Sequence, residues 1–469
     1  METRRSFNSG LASLAFSGLA VGGCATLKNY VASAPDYVER APFRRTADMR
    51  VDPYGYGPLV SRPGKLIYLP EGFDYEVISQ FGDELAEDGG TVPNNADGMG
   101  SFELQDGRVA LVRNHEVKIG SGEKAVGGTT TIVYDCESKR CDSHHRSLSN
   151  TSTNCSGGVT PWGTWLSCEE EVTKGYEHGW VYQVPAIHDH LQVREPLRKL
   201  GRFNHEAAAV DPLTHIVYMT EDHRRGLFYR FVPEELGSKL NPSTEGELQA
   251  LAFADASFGQ ESNNWKPREW IPGEWRRTQW IPIRDVAEGN INDDLRDRSW
   301  RDRAIRFANG EGIHFGVDEL YFTATSGGRI KSGQIFRFSP AHNMIQLFLE
   351  STNPAQFNYG DNLTIAPNGH LFVCEDPYVG DRKYWPRIAA FKKPGAYLRG
   401  VSNHGDVYNI AYLPTDSELS GACFSPDGKT LFLNIYKPAA TLAITGKWKW
   451  NKPLPGWSIP MAGRLPPSA

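Results

Sequence analysis

A pattern that returns about every fifty residues limits what this chain can fold into more than any other feature. A turn holding Gly or Asp leads into four to six apolar and β-branched residues, and a carboxylate often follows. The copies begin at Gly107, Gly163, Thr214, Asp318, Gly369 and Gly428. One four-stranded propeller blade needs about 50 residues, so the repeat predicts an all-β propeller of six blades. Aromatic residues at 11%, with 47 glycines and 30 prolines, favour many strands joined by turns over helices. The interval between Thr214 and Asp318 is twice the others and reads as an insertion at about 234–305. It carries Trp265, Trp270, Trp275 and Trp280 with prolines between them. It is expected to form an excursion over the propeller, as a lid or a rim.

A second element precedes each copy by about seven to ten residues: a polar residue, then a small or apolar strand. The series is Asp97, Cys155, Glu206, Glu311, Asp361 with Asn362, and Gly421. The innermost strand of each blade lines the axial channel, so polar residues that open these strands converge on one mouth. Carboxylates crowded there cost several kcal/mol each when ionised and unpaired, roughly, unless some protonate or cations fill the ring. Oxygen donors suit calcium, and a thiolate among them asks for a more thiophilic transition metal. A single such acid more often serves its own blade; five at one repeat position point to a shared site. The acids that end the second strands are Glu116, Glu169, Glu170, Glu221, Asp222, Glu375 and Asp376. Those strands are expected to finish near the opposite end or the outer shell, where half the acids are structural.

The N-terminus reads as an export signal. Thr3-Arg4-Arg5-Ser6-Phe7 is a twin-arginine pattern, and Leu11 to Gly23 is uncharged, apolar and too short to span a bilayer. Val21-Gly22-Gly23-Cys24 reads as a lipobox with Cys24 acylated; a rival cleavage site after Ala34 is disfavoured by Pro35. The expected organisation is a signal peptide at 1–23, a linker at 24–65 and a single propeller at 66–469. The twin-arginine export machinery is the expected partner, and the periplasm or cell exterior, with a possible lipid anchor, the expected location. A net charge of −6 offers no basic footprint for nucleic acid. Cys136 and Cys141 flank a predicted hairpin tip, where a disulfide is expected in an oxidising compartment.

Several runs together resemble the PhoX alkaline phosphatase family. They include Leu69 to Phe73, Asp97-Gly98-Met99, Arg113-Asn114-His115-Glu116, the long run Asn154 to Trp165, Cys168-Glu169-Glu170 and Phe203-Asn204-His205-Glu206. Phe322 to Gly328, Asp361-Asn362-Leu363 and Ser425 to Gly428 extend the likeness. The resemblance implies a twin-arginine-exported propeller that holds iron and calcium and hydrolyses phosphomonoesters. It implies Cys155, Glu206 and Glu311 as iron ligands, and Asp97, Glu116, Glu169 and Asp361 or Glu375 as calcium ligands. One departure stands out: the family's phosphate-holding arginine falls at Asn309, which leaves Arg306 and Arg146 as candidates for grasping phosphate. Cations would act as Lewis acids, with a metal-activated oxide or hydroxide as nucleophile, because no serine sits in a Gly-x-Ser-x-Gly setting. His205 or His115 would shuttle protons. Two other readings remain open at this point: a calcium-dependent lactonase or esterase propeller, which needs only oxygen donors, and a non-catalytic, lipid-anchored binding propeller.

Overall fold

The computed structural model describes residues 54–86, 90–119, 127–172, 177–187, 191–266, 270–286, 295–377 and 395–459. The twin-arginine pattern, the apolar run and Cys24 lie outside the described residues. Among the described residues no helix is long and apolar enough to cross a membrane.

The chain opens with β1 (Leu59–Val60), β2 (Leu69–Pro70) and β3 (Asp74–Gln80). A four-stranded antiparallel sheet follows, β4 (Ala96–Glu103), β5 (Val109–His115), β6 (Gly127–Asp135) and β7 (Arg140–Thr151). The second sheet has three strands, β8 (Asn154–Val159), β9 (Thr164–Glu169) and β10 (Val181–Pro185). The third set is β11 (His205–Val210), β12 (Val217–Glu221), β13 (Phe228–Pro233) and β14 (Gly246–Phe253). Then come β15 (Trp275–Pro282) and the short helix α1 (Leu295–Arg301). The fourth set is β16 (Gly310–Phe315), β17 (Leu320–Ala324), β18 (Gln334–Ser339) and β19 (Met344–Glu350). The fifth is β20 (Gly360–Ile365), β21 (Leu371–Glu375), β22 (Ala396–Val401) and β23 (Val407–Leu413). The sixth joins β24 (Leu419–Phe424), β25 (Thr430–Ile435) and β26 (Ala440–Thr445) to β3, so the N-terminal strand closes the last sheet.

The first strands of the six sets, β4, β8, β11, β16, β20 and β24, touch one another in sequence and close a ring. The hydrophobic core divides the same way, into six clusters, each shared by two successive sheets. Phe102 and Val112 of the first sheet meet Trp165 and Tyr182 of the second, and Met99 and Leu111 of the first meet Phe432 and Cys423 of the sixth. Each sheet therefore buries both faces, which is the propeller solution to strands apolar on both sides. All six copies of the sequence repeat mark the turn between a first and a second strand.

The insertion is not a lid. Its residues include β14, the outer strand of the third set, and β15, which pairs with β14 on one edge and with β19 on the other. The third and fourth sets are thereby joined into one nine-stranded sheet. Trp270 is buried between Phe253 and Phe336, and Trp280 packs on Tyr218, Phe228 and Phe338. The tryptophans follow the need to fill the wedge between two blades. Cys136 and Cys141 are free thiols rather than a disulfide; Cys141 lies across from Tyr134 in the ladder, not from Cys136.

Candidate metal centre at the mouth of the channel

Each first strand carries one extra residue near its start. The ladder between first and second strands slips between Ala96 and Met99, Asn154 and Gly157, His205 and Ala208, Gly310 and Ile313, Gly360 and Leu363, and Ser420 and Cys423. A bulge of this kind re-aims a side chain. The residues carried on the six bulges are Asp97, Cys155, Glu206, Glu311, Asp361 and Gly421, the last of which brings no side chain. The second strand returns antiparallel to the same mouth, and the residue just past it completes a second ring: Glu116, Glu170, Asp222, Thr325, Asp376 and Tyr436. Its backbone amide donates in every blade to the carbonyl of the residue that precedes the first strand: Asn95, Thr153, Asn204, Asn309, Tyr359 and Glu418, at 2.9 to 3.2 Å. The expectation that these strands finish at the opposite end is thus wrong, because strand order alone brings both rings to one mouth.

The bulges are pinned from the neighbouring blade. Asn434 Nδ2 donates to Asp97 O at 2.6 Å, and Asn114 Nδ2 to Ser156 O at 2.7 Å. Thr220 Oγ1 reaches Glu311 O at 2.5 Å, and Thr323 Oγ1 reaches Asp361 O at 2.6 Å. Small residues let the strands approach: a Cβ on Gly421, whose φ is +57°, would stand 2.4 Å from Asp97 O. The ring is therefore held by contacts between blades as well as by the amide bonds within each blade.

Three overlapping groups result, each with ligand atoms within 4.8 Å of one another: Asp97, Glu116 and Cys155; Cys155, Glu170 and Glu206; Glu206, Glu311 and Asp361. Cys155 Sγ lies 3.3 Å from Asp97 Oδ2. Burial, and then the neighbouring acids, push Asp97, Glu206, Glu311 and Glu170 well above the usual carboxylate range and Asp361 up to about 7. Glu418 joins this set, raised by burial and then by Asp361 and Asp376. Burial raises the Cys155 thiol likewise. Some acids have donors: Tyr436 donates to Glu116 Oε2 at 2.6 Å, Thr325 to Glu311 Oε1 at 3.2 Å, and Asn309 Nδ2 to Asp222 Oδ1 at 2.6 Å. Glu206 has none; both its carboxylate oxygens are buried without a hydrogen-bond partner. A cation is the partner that such a group fits.

The structure brings together Asp97, Glu116, Cys155, Glu206, Glu311 and Asp361. It does not bring Glu169 and Glu375 to them. Glu169 turns into its blade and accepts from Ser152 N, His178 Nδ1, Gly179 N, Trp180 N and Tyr182 OH. Glu375 accepts from Asn358 N at 2.8 Å and Arg399 Nε at 2.8 Å. Glu221, at the same position, takes Leu227 N and Arg296. Their successors Glu170, Asp376 and Asp222 face the channel instead. The signal was present: Glu116 aligns with the second acid of each pair, not the first. Glu418 carries no repeat signal.

The proposed phosphate and proton groups also fall elsewhere. Arg146 lies on β7, the outermost strand of its sheet, 3.5 Å from Thr91 O. Arg306 stacks 4.0 Å from the Trp300 ring centroid and pairs with Glu261 and Asp297. His205 points away from the ring, stacked on Phe203, with Nε2 at 2.9 Å from Gly201 O; burial lowers its pKa to about 3. His115 is likewise spent on Asn94 O and Thr130 Oγ1. Asn309 has φ +56°, as Asn95, Thr153 and Tyr359 have positive φ before their own first strands. Asparagine tolerates this left-handed backbone best after glycine.

The sequence matches the family described as alkaline phosphatase PhoX over two overlapping stretches, 54–138 and 128–439. No curated protein matches it. Among solved structures, Pseudomonas fluorescens PhoX in complex with vanadate, a transition-state analogue, aligns with a TM-score of 0.65 at 20% identity, covering 84% of this chain and 98% of that one. A gluconolactonase from Xanthomonas campestris aligns with a TM-score of 0.33 at 12% identity, covering 82% of this chain and 98% of that one.

Proposed function

The chain belongs to the alkaline phosphatase PhoX family, and from that premise we propose that it is an exported, cation-dependent phosphomonoesterase working at the double ring of acids. The observation that carries the reading is Glu206: a buried carboxylate with two unpartnered oxygens, set within 4.8 Å of Cys155 and Glu170 on one side and of Glu311 and Asp361 on the other. Cys155, Glu170 and Glu206 offer one thiolate with two carboxylates, a donor set that suits iron. Glu206, Glu311 and Asp361 offer oxygen alone and suit calcium, as Asp97 and Glu116 do with support from Glu418. Cations held there would supply Lewis-acid stabilisation of phosphoryl transfer.

The chain's own residues do the positioning. Tyr436, Thr325 and Asn309 each donate to one ring carboxylate and fix the oxygen that is left over. The bonds from Asn434, Asn114, Thr220 and Thr323 hold the bulges, so the donor atoms are preorganised before substrate arrives. The Thr325 hydroxyl is spent as a donor to Glu311 Oε1, so we read the side chains as a frame and not as a nucleophile. The vanadate complex of the Pseudomonas fluorescens relative supports a phosphoryl substrate for this site as well. Export through the twin-arginine route, with acylation at Cys24, belongs to the same proposal; the mass of the N-terminal peptide from the mature protein tests it.

The deciding experiment measures calcium and iron in the purified protein and its hydrolysis of a chromogenic phosphomonoester, with and without chelator, beside Glu206→Gln. Both metals bound, with activity lost on chelation and in the variant, is the expected result. Full hydrolysis after exhaustive chelation would overturn the reading.

A further inference from the structure

The two rings leave one need unmet: a phosphomonoester is an anion, and its leaving group must sit somewhere at a mouth lined with acids. The loops that leave the mouth in the third and fourth blades answer it together with the insertion. Arg224 is exposed and lies two residues beyond Asp222 of the ring, a separation of at most about 7 Å along the chain. Its guanidinium stands 4.9 Å from the centroid of the Trp265 ring. Lys331, in the loop after β17, holds its ammonium 5.5 Å from the same centroid.

Trp265 is only partly buried, yet it is held firmly. Its Nε1 donates to Ser326 O at 3.0 Å and its backbone amide to Asn263 Oδ1 at 3.0 Å. Ser326 is the residue after Thr325, and its hydroxyl donates to Asn309 Oδ1. Asn309 in turn donates to Asp222. Three hydrogen bonds thus lead from the indole to a ring carboxylate. A rigid indole needs no further ordering when a ligand stacks on it; the exposed Arg224 and the Lys331 ammonium, which lie over the ring, move off its face to meet the ligand's negative charge.

We propose that Trp265, flanked by Arg224 and Lys331, is the leaving-group subsite, and that it selects phosphomonoesters whose alcohol carries a flat aromatic ring. Arg224, two residues beyond Asp222 and exposed, is the cation set to reach the phosphoryl group. The proposal rests on the phosphomonoesterase reading. Simple alkyl phosphates leave the indole face unused.

The test compares kcat/KM for an aryl phosphate, adenosine monophosphate and glycerol phosphate, in the metal-loaded protein and in Trp265→Leu, Trp265→Phe and Arg224→Ala. Leucine keeps apolar bulk without a π-face, and thermal melting checks that each variant folds. In Trp265→Leu the preference for the aromatic esters over glycerol phosphate is expected to fall about tenfold, mostly through KM, since stacking on one ring contributes roughly that much; phenylalanine restores most of it. Arg224→Ala should weaken all three substrates and inhibition by inorganic phosphate. Equal losses on every substrate in Trp265→Leu, or none on any, would overturn the subsite. Should the wild type hydrolyse none of the three, the phosphatase reading fails instead. Calorimetric binding of adenosine monophosphate then decides: binding about tenfold weaker in Trp265→Leu keeps the subsite, and equal binding removes it.

Discussion

Two neighbouring glutamates in one strand end show how much a single side-chain direction decides. Glu169 turns inward to five donors, whereas Glu170 turns to the channel, where burial and Asp222 raise its pKa. Replacing Glu169 by Gln leaves donors such as Gly179 N and Trp180 N competing for a weaker, neutral acceptor. Glu169→Gln is expected to lower stability by about 1–3 kcal/mol while metal content stays as in the wild type, which denaturant unfolding and elemental analysis would check. Glu206→Gln should do the reverse. It removes a buried acid that, without a cation, must either stay charged with no partner or take up a proton on folding, so the chelated variant should melt several degrees above the chelated wild type, while metal binding and hydrolysis fail. A chelated Glu206→Gln protein that melts lower would mean that the carboxylate is already neutralised within the chain. The sequence carries the alternation that separates these two roles, but only when the acids are aligned on Glu116 rather than counted.

At the scale of elements, the repeat was legible because each first-to-second turn has its own Gly or Asp, and the bulged strands because each begins with a polar residue. The joint between the third and fourth blades was not. β14 and β15 end in no carboxylate, and β15 has no counterpart in the other sheets, so the tryptophans alone suggested a cover. The structure makes them a weld: Arg276 lies 4.5 Å from the Trp270 centroid, and Trp270 Nε1 donates to Glu274 O at 2.9 Å. Trp270→Ala empties that wedge and is expected to cost about 3–5 kcal/mol. Hydrogen exchange should quicken in β15 and β19 first, with β4 to β7 unaffected. Uniform loss of protection across all sheets would argue that the insertion has no local role. The closure by β3 escaped the sequence for a similar reason, since a strand that completes a distant sheet bears no mark of its partner.

For the whole molecule, the ring and the buried histidines pull stability in opposite directions with pH, and the bound cations separate them. Asp97, Glu170, Glu206, Glu311 and Glu418 have raised pKa values in the fold, and Asp361 reaches about 7 against an ordinary 3.8. In the chelated protein the folded state therefore holds protons that the unfolded chain has released. That contribution is complete below the unfolded values near 4 and is lost as pH rises through the raised folded values, about 7 in the case of Asp361. His144, His205 and His314 are lowered by burial to about 2, 3 and 4 from 6.5, so they act the other way and favour high pH. Cations replace protons on the ring but leave these histidines untouched. The difference in Tm between loaded and chelated protein consequently cancels the histidines and isolates the ring. That difference is expected to widen steadily from about pH 5 to pH 8, because each cation must displace fewer protons as pH rises. A gap that stays constant over that range would show that the rings bind no cation in competition with protons, and the metal centre would have to be sought elsewhere in the channel.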